Sequence, residues 1–170
     1  VMVHAIGTLD LSSADVIISS HHSVAKGIRK HAGQFHLCYC HSPMRYAWDQ
    51  FDAYFGPQQV GRVASAALRP VMARMARCDQ ATAVRASRYL AISQYVAQRI
   101  AVYYNRQSTI VHPPVDTVFY TPDSAPVSPR FLVVSALVPY KRVDLAMTAA
   151  RAAGVALTVV GDGPERAHLE

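Results

Sequence analysis

Two basic residues, Lys141 and Arg142, follow a short apolar run that predicts a buried strand over residues 130–136. The residues that come next, from about 141 to 152, have the pattern of a helix. Anions commonly bind at the turn between a strand and the next helix of an α/β protein, because backbone N–H groups and the helix dipole point there. A cation pair at this turn therefore indicates a phosphate site.

A second turn of this kind follows the next predicted strand, residues 155–160, where the sequence reads Gly161-Asp162-Gly163-Pro164. The two glycines predict a tight turn, and the proline predicts the first turn of another helix. Gly154 is a good C-cap for the preceding helix. The two turns together predict a strand-helix-strand unit that handles phosphate.

His41 and Ser42 directly follow a predicted strand, Phe35–Cys40, and Arg45 lies three residues after Ser42. Polar residues at the carboxyl end of a strand are placed where parallel sheets bind their ligands. His41 is therefore a candidate functional residue, although a loop histidine can also be satisfied by backbone groups. Arg45 has two open interpretations, contact with an acceptor phosphate or a pair with Asp49.

His36, Cys38, Cys40 and His41 lie close enough in sequence to consider a metal site. Strand alternation places the first three on one face and His41 on the other. Cys-x-Cys on a strand also lacks the turn of a structural zinc knuckle. We expect buried, unreactive thiols, and the odd number of cysteines, 3, favours a reducing compartment.

The chain alternates predicted strands and helices, which is typical of a mostly parallel sheet. The strands predicted before residue 112 are 14–19, 35–40, 88–92 and 108–111. One helix is predicted after a cap at Ser23, a second along Val60, Val63, Ala67, Val71 and Met75, and a third from Ser93 to about Tyr104. Pro70 is predicted to kink or split the second helix.

Five prolines between His112 and Pro129 exclude a continuous helix or central strand and predict a linker. We therefore divide the chain into residues 1–113, a linker at 114–129, and residues 130–170. The first part lacks an opening strand with a glycine-rich turn, and the last offers only two strands. The pattern predicts the C-terminal part of one Rossmann-like domain and the start of another, both incomplete, with apolar strands that would aggregate if left uncovered.

The composition is that of a globular protein, with 51% hydrophobic and 16% charged residues. Lys and Arg number 17 against 11 Asp and Glu, for a net charge of +6. A basic surplus favours an acidic partner such as a nucleotide, a nucleic acid or an anionic membrane. The cations are scattered, without a recognition-helix motif or a stacking platform, so we expect no nucleic-acid partner.

The order of these motifs resembles the nucleotide-sugar glycosyltransferases of family 4. The likeness runs from about Asp15 to Glu170 and includes a His-x-Pro loop, a Pro-Pro-Val-Asp linker, the lysine-bearing turn and Gly-Asp-Gly-Pro. The stretches Cys40–Asp49 and Leu137–Asp144 are similar to a mannosyltransferase-type branch. The resemblance implies the glycosyltransferase-B fold, with two Rossmann-like domains and the donor between them.

The resemblance also implies a reaction and a site. A hexose, with mannose from GDP-mannose favoured, would pass with retention from a nucleotide-diphosphate donor to a saccharide or a lipid-linked saccharide. Lys141 matches the family lysine on the donor diphosphate, with Arg142, Gly161 and Gly163 beside it. His41 matches the histidine that faces the donor sugar, and Ser42, Arg45 and Ser93 are substrate-side candidates. A fixed cation stabilises the leaving diphosphate, so no metal cofactor is expected.

The sequence departs from the family in two ways. Ser135 and Ala136 stand where many members have Gly-Arg, so a second cation would have to come from Arg142. The family's Glu-x7-Glu segment would lie beyond Glu170, so we expect this chain alone to be inactive. The alternative function is a degenerate, non-catalytic relative that binds a nucleotide or a saccharide.

Location and membrane contact are expectations of the same kind. There is no apolar stretch long enough to span a bilayer, and the cysteines favour the cytoplasm. Family members with lipid-linked acceptors often bind the inner leaflet through a basic helix, so peripheral membrane contact stays open. The basic residues concerned are Arg62, Arg69, Arg74 and Arg77, for which a solvated helix face is the favoured interpretation.

Overall fold

A computed structural model describes residues 5–21, 23–122 and 129–170 of the chain. The described residues form two compact units, divided between Val115 and Asp116. The division falls where the proline-rich segment begins. Residues 123–128 of the expected linker lie outside the described residues.

The first unit is built on a parallel sheet. Its described strands are β1 (Val16–His21), β2 (Phe35–Cys40), β3 (Arg88–Ala91) and β4 (Thr109–Ile110), and they pair in that order. The mixed α/β class with a parallel sheet, compatible with a Rossmann-like fold, is confirmed. The arrangement of a glycosyltransferase-B enzyme stays a prediction.

The core of this unit lies on one face of β2 and β3. Cys38 and Cys40 are buried there with Tyr89 and Ala91, as strand alternation predicts. The side chains that cover them come mainly from helix α5 (Gln94–Tyr104), which Ser93 caps by accepting a hydrogen bond from the backbone N–H of Val96 at 3.2 Å. The predicted cap and the predicted end of this helix are both correct.

A layer of helices joins β2 to β3. It comprises α1 (Arg45–Trp48), α2 (Phe51–Phe55), α3 (Pro57–Val60) and the long α4 (Arg62–Thr82). Pro70 lies inside α4 without splitting it, contrary to one of the predicted outcomes. Residue 66, whose carbonyl loses its N–H partner to the proline, is exposed, so water can satisfy that oxygen.

The apolar period predicted along α4 does not mark its packed face. Val63 is 86% exposed and Val71 is 52% exposed, whereas Ser65, Ala76 and Asp79 are the buried residues of the helix. Tertiary contacts with Asp79 therefore set the orientation of α4, overriding the hydrophobic pattern.

The prediction of a helix after Ser23 is also wrong. The segment forms only one 3₁₀ turn, Ala25–Gly27, with Val24 at the N-cap position and without a side-chain cap. The backbone N–H of Ser23 instead donates to Nδ1 of His21 at 2.7 Å. A buried lysine, Lys26, occupies the centre of the turn, and its contacts decide the local structure.

The second unit contains a strand-helix-strand motif. Strand β5 (Arg130–Val134) pairs in parallel with β6 (Ala156–Val160), and α6 (Val143–Ala153) connects them. Gly154 ends α6 in the left-handed conformation, with φ of 66°, as predicted. The last helix, α7, is Arg166–Leu169, so it begins two residues after the proline expected to open it.

Large apolar side chains of both strands are exposed in this unit, among them Phe131, Leu132, Val134 and Val160. Parallel sheets are ordinarily covered on both faces. The expected tendency of these strands to associate when uncovered remains a prediction.

Candidate functional site

Lys141 lies at the carboxyl end of β5, as the sequence predicts. It is the last residue of a 3₁₀ turn, Pro139–Lys141, whose backbone is fixed by a hydrogen bond from the Lys141 N–H to the oxygen of Val138 at 3.0 Å. Its side chain is exposed, with Nζ 5.6 Å from the centroid of the Tyr140 ring. An exposed ammonium on a short, hydrogen-bonded turn can bind an anion without first losing a buried carboxylate partner.

The turn after β5 and the turn after β6 are joined by backbone hydrogen bonds. The N–H of Ser135 donates to the oxygen of Val160 at 3.0 Å, and the N–H of Leu137 donates to that of Asp162 at 2.9 Å. The N–H of Glu165 then donates back to the oxygen of Leu137 at 3.1 Å. The two turns predicted to handle phosphate are therefore one connected structure.

Gly161 and Gly163 are required by this connection. A Cβ atom on Gly161 would lie 1.8 Å from the oxygen of Ser135, and one on Gly163 would lie 2.3 Å from the oxygen of Leu137. Both distances are far below van der Waals contact, so only glycine allows the turns to meet. The close approach is to protein backbone, a role that the sequence pattern did not reveal.

Arg142 is paired with a carboxylate. It adopts the left-handed conformation, with φ of 51°, at the N-cap position of α6. Its guanidinium binds Asp144, with Nε–Oδ1 and Nη2–Oδ2 distances both 3.0 Å. This hydrogen-bonded pair lowers the pKa of Asp144 and raises that of Arg142. Both side chains are exposed, so an anionic ligand can reach Arg142. Such a ligand has to compete with Asp144 for the guanidinium.

His41 lies at the carboxyl end of β2 with its side chain exposed. Its Nε2 is 3.0 Å from Oγ of Ser20, at the end of the neighbouring β1, and its ring packs edge-on against Tyr39 with centroids 5.5 Å apart. Neither Ser20 nor Tyr39 was singled out from the sequence. Parallel pairing of β1 and β2 is what brings Ser20 to His41.

The other predicted substrate-side residues have defined local contacts. Ser42 donates from Oγ to the oxygen of Pro43 at 2.9 Å, and Arg45 is exposed at the start of α1. Asp49, the alternative partner considered for Arg45, is bound by both terminal nitrogens of Arg99, with Nη2–Oδ1 at 2.9 Å. Hydrogen bonding to Arg99 lowers the pKa of Asp49.

The sequence did not reveal a buried ionic cluster that surrounds Asp79. Asp79 accepts hydrogen bonds from Nζ of Lys26, from Nε1 of Trp48 at 2.9 Å and from the hydroxyl of Tyr104 at 2.8 Å. Lys26 also donates to the oxygen of Ser23 at 2.9 Å and lies 4.7 Å from the centroid of the Tyr104 ring. Three segments distant in sequence are thereby tied to the carboxylate of α4. The signal available from sequence was a lone lysine within the small apolar run 24–28.

The cysteines of β2 are buried, and burial raises the pKa of both thiols, to about 12 for Cys40. Cys78, on α4, is exposed. Within the part of the chain that the structure describes, no group of three or more His, Cys, Asp and Glu side chains is arranged to hold a metal ion. Among the same residues, none of the helices combines the length and the apolar character needed to cross a bilayer.

Comparison with known proteins leaves the family open. No family model, curated protein or solved structure matches the chain. What can be said about function therefore comes from the motifs and from the geometry of the two strand edges that carry Lys141 and His41.

Proposed function

We propose that this chain is part of a retaining glycosyltransferase that takes a hexose, with mannose favoured, from a nucleotide-diphosphate sugar. The observation that carries the proposal is the position of the two key side chains. Lys141 in one unit and His41 in the other both follow a strand of a parallel sheet at its carboxyl end, where α/β proteins bind ligands.

Lys141 supplies the electrostatic part of the chemistry. When the bond between the sugar and the diphosphate breaks, negative charge develops on the departing phosphate oxygen. A cation held at that oxygen stabilises the transition state more than the ground state, and this difference is what accelerates a reaction. The fixed turn Pro139–Lys141 sets the origin of the lysine side chain, and its exposure leaves the ammonium accessible.

Arg142 would be the second cation of the diphosphate site. The ion pair with Asp144 weakens the affinity of Arg142 for a phosphate, because the phosphate must replace a carboxylate that is already bound. Gly161 and Gly163 contribute by holding their turn against the lysine-bearing turn. The diphosphate would therefore rest chiefly on Lys141.

His41 would meet the donor sugar, with Ser42, Arg45 and Ser93 as further substrate-side groups. Ser93 is already engaged as a helix cap, which weakens its case. The acceptor would be a saccharide or a lipid-linked saccharide, and the protein would act in the cytoplasm. Contact with an anionic membrane through the arginines of α4 is part of the proposal only if that acceptor carries a lipid.

Binding of GDP and GMP to the protein from the complete reading frame, measured by titration calorimetry, tests the diphosphate site directly. The two ligands differ by one phosphate, so a lysine on the diphosphate predicts tighter binding of GDP. Lys141→Ala should weaken GDP binding by about tenfold, as expected for one charge-assisted hydrogen bond, and should leave GMP almost unchanged. Arg151→Ala, which removes another exposed cation of the same unit, is the matched control.

Equal weakening of GDP by the two variants would mean that only overall charge matters, and the assignment of Lys141 would be wrong. The enzyme claim has its own test, the transfer or hydrolysis of GDP-mannose by the protein from the complete reading frame. Binding of GDP-mannose without either reaction would refute it.

A second candidate function is a binding module without transferase activity. Two observations favour it: Ala136 replaces a cation of the family pattern, and Arg142 is held by Asp144. Ala136→Arg in the complete protein separates the two functions. It should raise turnover in an enzyme that lacks only one charge, and it should change binding alone in a module.

A further inference from the structure

Strands β1 and β2 are linked by two serine–histidine pairs that lie on opposite faces of the sheet. On the core side, Oγ of Ser19 is 2.8 Å from Nε2 of His36, and both residues are buried. On the other side, Oγ of Ser20 is 3.0 Å from Nε2 of His41, and both residues are exposed. The inner pair satisfies polar groups that cannot reach water, whereas water could satisfy the outer pair.

Backbone pairing brings the outer pair together. Ser20 lies opposite Tyr39 in the parallel register, and the N–H of His41 donates to the oxygen of His21 at 3.1 Å, extending the pairing past the end of β2. Both side chains therefore start from a fixed backbone at the carboxyl edge. A ligand that binds at this edge therefore loses little free energy to ordering of the backbone, because the backbone is already in place.

The ring of His41 is held on two sides. Ser20 binds Nε2, and the ring of Tyr39 packs edge-on, at an interplanar angle of 79°. Tyr39 is itself anchored, since its hydroxyl donates to the oxygen of Val111 at 3.0 Å. Among the described residues, Nδ1 of His41 has no hydrogen-bond partner.

We propose that Ser20 is a positioning residue for His41, holding Nε2 so that Nδ1 is the ring nitrogen that meets the donor sugar. The part concerning the sugar rests on the proposed function, whereas the holding of the ring does not. A sugar hydroxyl can donate to or accept from an imidazole nitrogen, and its alignment depends on a fixed ring.

Ser20→Thr and Ser20→Val form a matched pair, because their side chains have nearly the same shape and differ by a hydroxyl against a methyl group. Both suit an exposed strand position. NMR of this chain, labelled with ¹⁵N at histidine, should show the Nε2 resonance of His41 displaced in Ser20→Val and near its wild-type position in Ser20→Thr. The contact between the His41 and Tyr39 rings should weaken in Ser20→Val only. The His36 resonances serve as an internal control.

Activity of the complete protein gives the second readout. Ser20→Val should lower kcat/KM for GDP-mannose by about three- to tenfold, the range expected for one neutral hydrogen bond, and Ser20→Thr should restore most of it. Identical His41 spectra in the two variants would overturn the positioning role. If the spectra differ as expected while GDP and GMP bind equally to the complete wild-type protein, the proposed function fails and the holding of the ring stands.

Discussion

Replacing Asp79 by asparagine should remove a large part of the free energy of unfolding of the first unit. The side chain of Asp79 is 0% exposed and that of its partner Lys26 is 2% exposed, so neither charge can turn to water when the other is removed. Asparagine keeps the shape and one oxygen for Trp48 or Tyr104, but it leaves the ammonium of Lys26 with the Ser23 oxygen and an aromatic face.

The expected loss of stability follows from leaving the buried ammonium of Lys26 without its carboxylate partner. Breaking a buried ion pair by removing one partner costs about 3–5 kcal/mol, against a total stability on the order of 5–15 kcal/mol for a domain. With a urea dependence of roughly 1–3 kcal/mol per molar, the midpoint of urea unfolding should fall by about 1 M or more. Trp48 is the only tryptophan in the sequence and contacts Asp79, so its fluorescence reports this transition.

Asp52→Asn is the matched control, because it breaks the exposed pair between Asp52 and Arg69, whose side chains are 72% and 57% exposed. Exposed pairs contribute about 0–1 kcal/mol, so its midpoint should barely move. Lys26→Met combined with Asp79→Asn should recover part of the loss, since the uncompensated ammonium is gone. If Asp79→Asn and Asp52→Asn shift the midpoint equally, the reasoning about the buried pair is wrong.

Two further predictions concern the cysteines and the glycine turn. At pH 8, a thiol reagent should modify Cys78 quickly in the native chain, whereas Cys38 and Cys40 should react only on unfolding because burial raises the pKa of both thiols; three equal native rates would contradict this. Gly161→Ala would place a methyl group 1.8 Å from a backbone oxygen of the adjoining turn, so it should destabilise the second unit by about 1–3 kcal/mol and speed hydrogen exchange at the Leu137 amide. A Leu137 amide that stays as protected as in wild type would show that the turns do not depend on this glycine.

The strands and the parallel character of the sheet could be predicted, because buried apolar runs, turn residues and the alternation of strands with helices can be read from the sequence. The cap at Ser93 and the end of α6 at Gly154 were correct for the same reason. The packed face of α4 could not be predicted, since it is set by a carboxylate at Asp79 that meets distant side chains.

The candidate site, too, could be predicted only in part. The positions of Lys141 and His41 at strand ends follow from sequence order alone. Their immediate partners do not, because Ser20 reaches His41 only through parallel strand pairing. Asp144 is only two residues from Arg142, yet its hold on the guanidinium depends on a left-handed backbone that the sequence did not indicate.

The backbone links between the turns after β5 and β6 have a consequence for the entropy of ligand binding. A ligand that uses two separate loops must ordinarily immobilise both, and each ordered residue has a conformational cost. Here the backbone of Leu137 is hydrogen-bonded to both Asp162 and Glu165, so each turn already holds the other in place before a ligand binds. An anion captured by Lys141 would therefore restrict little more than the lysine side chain itself.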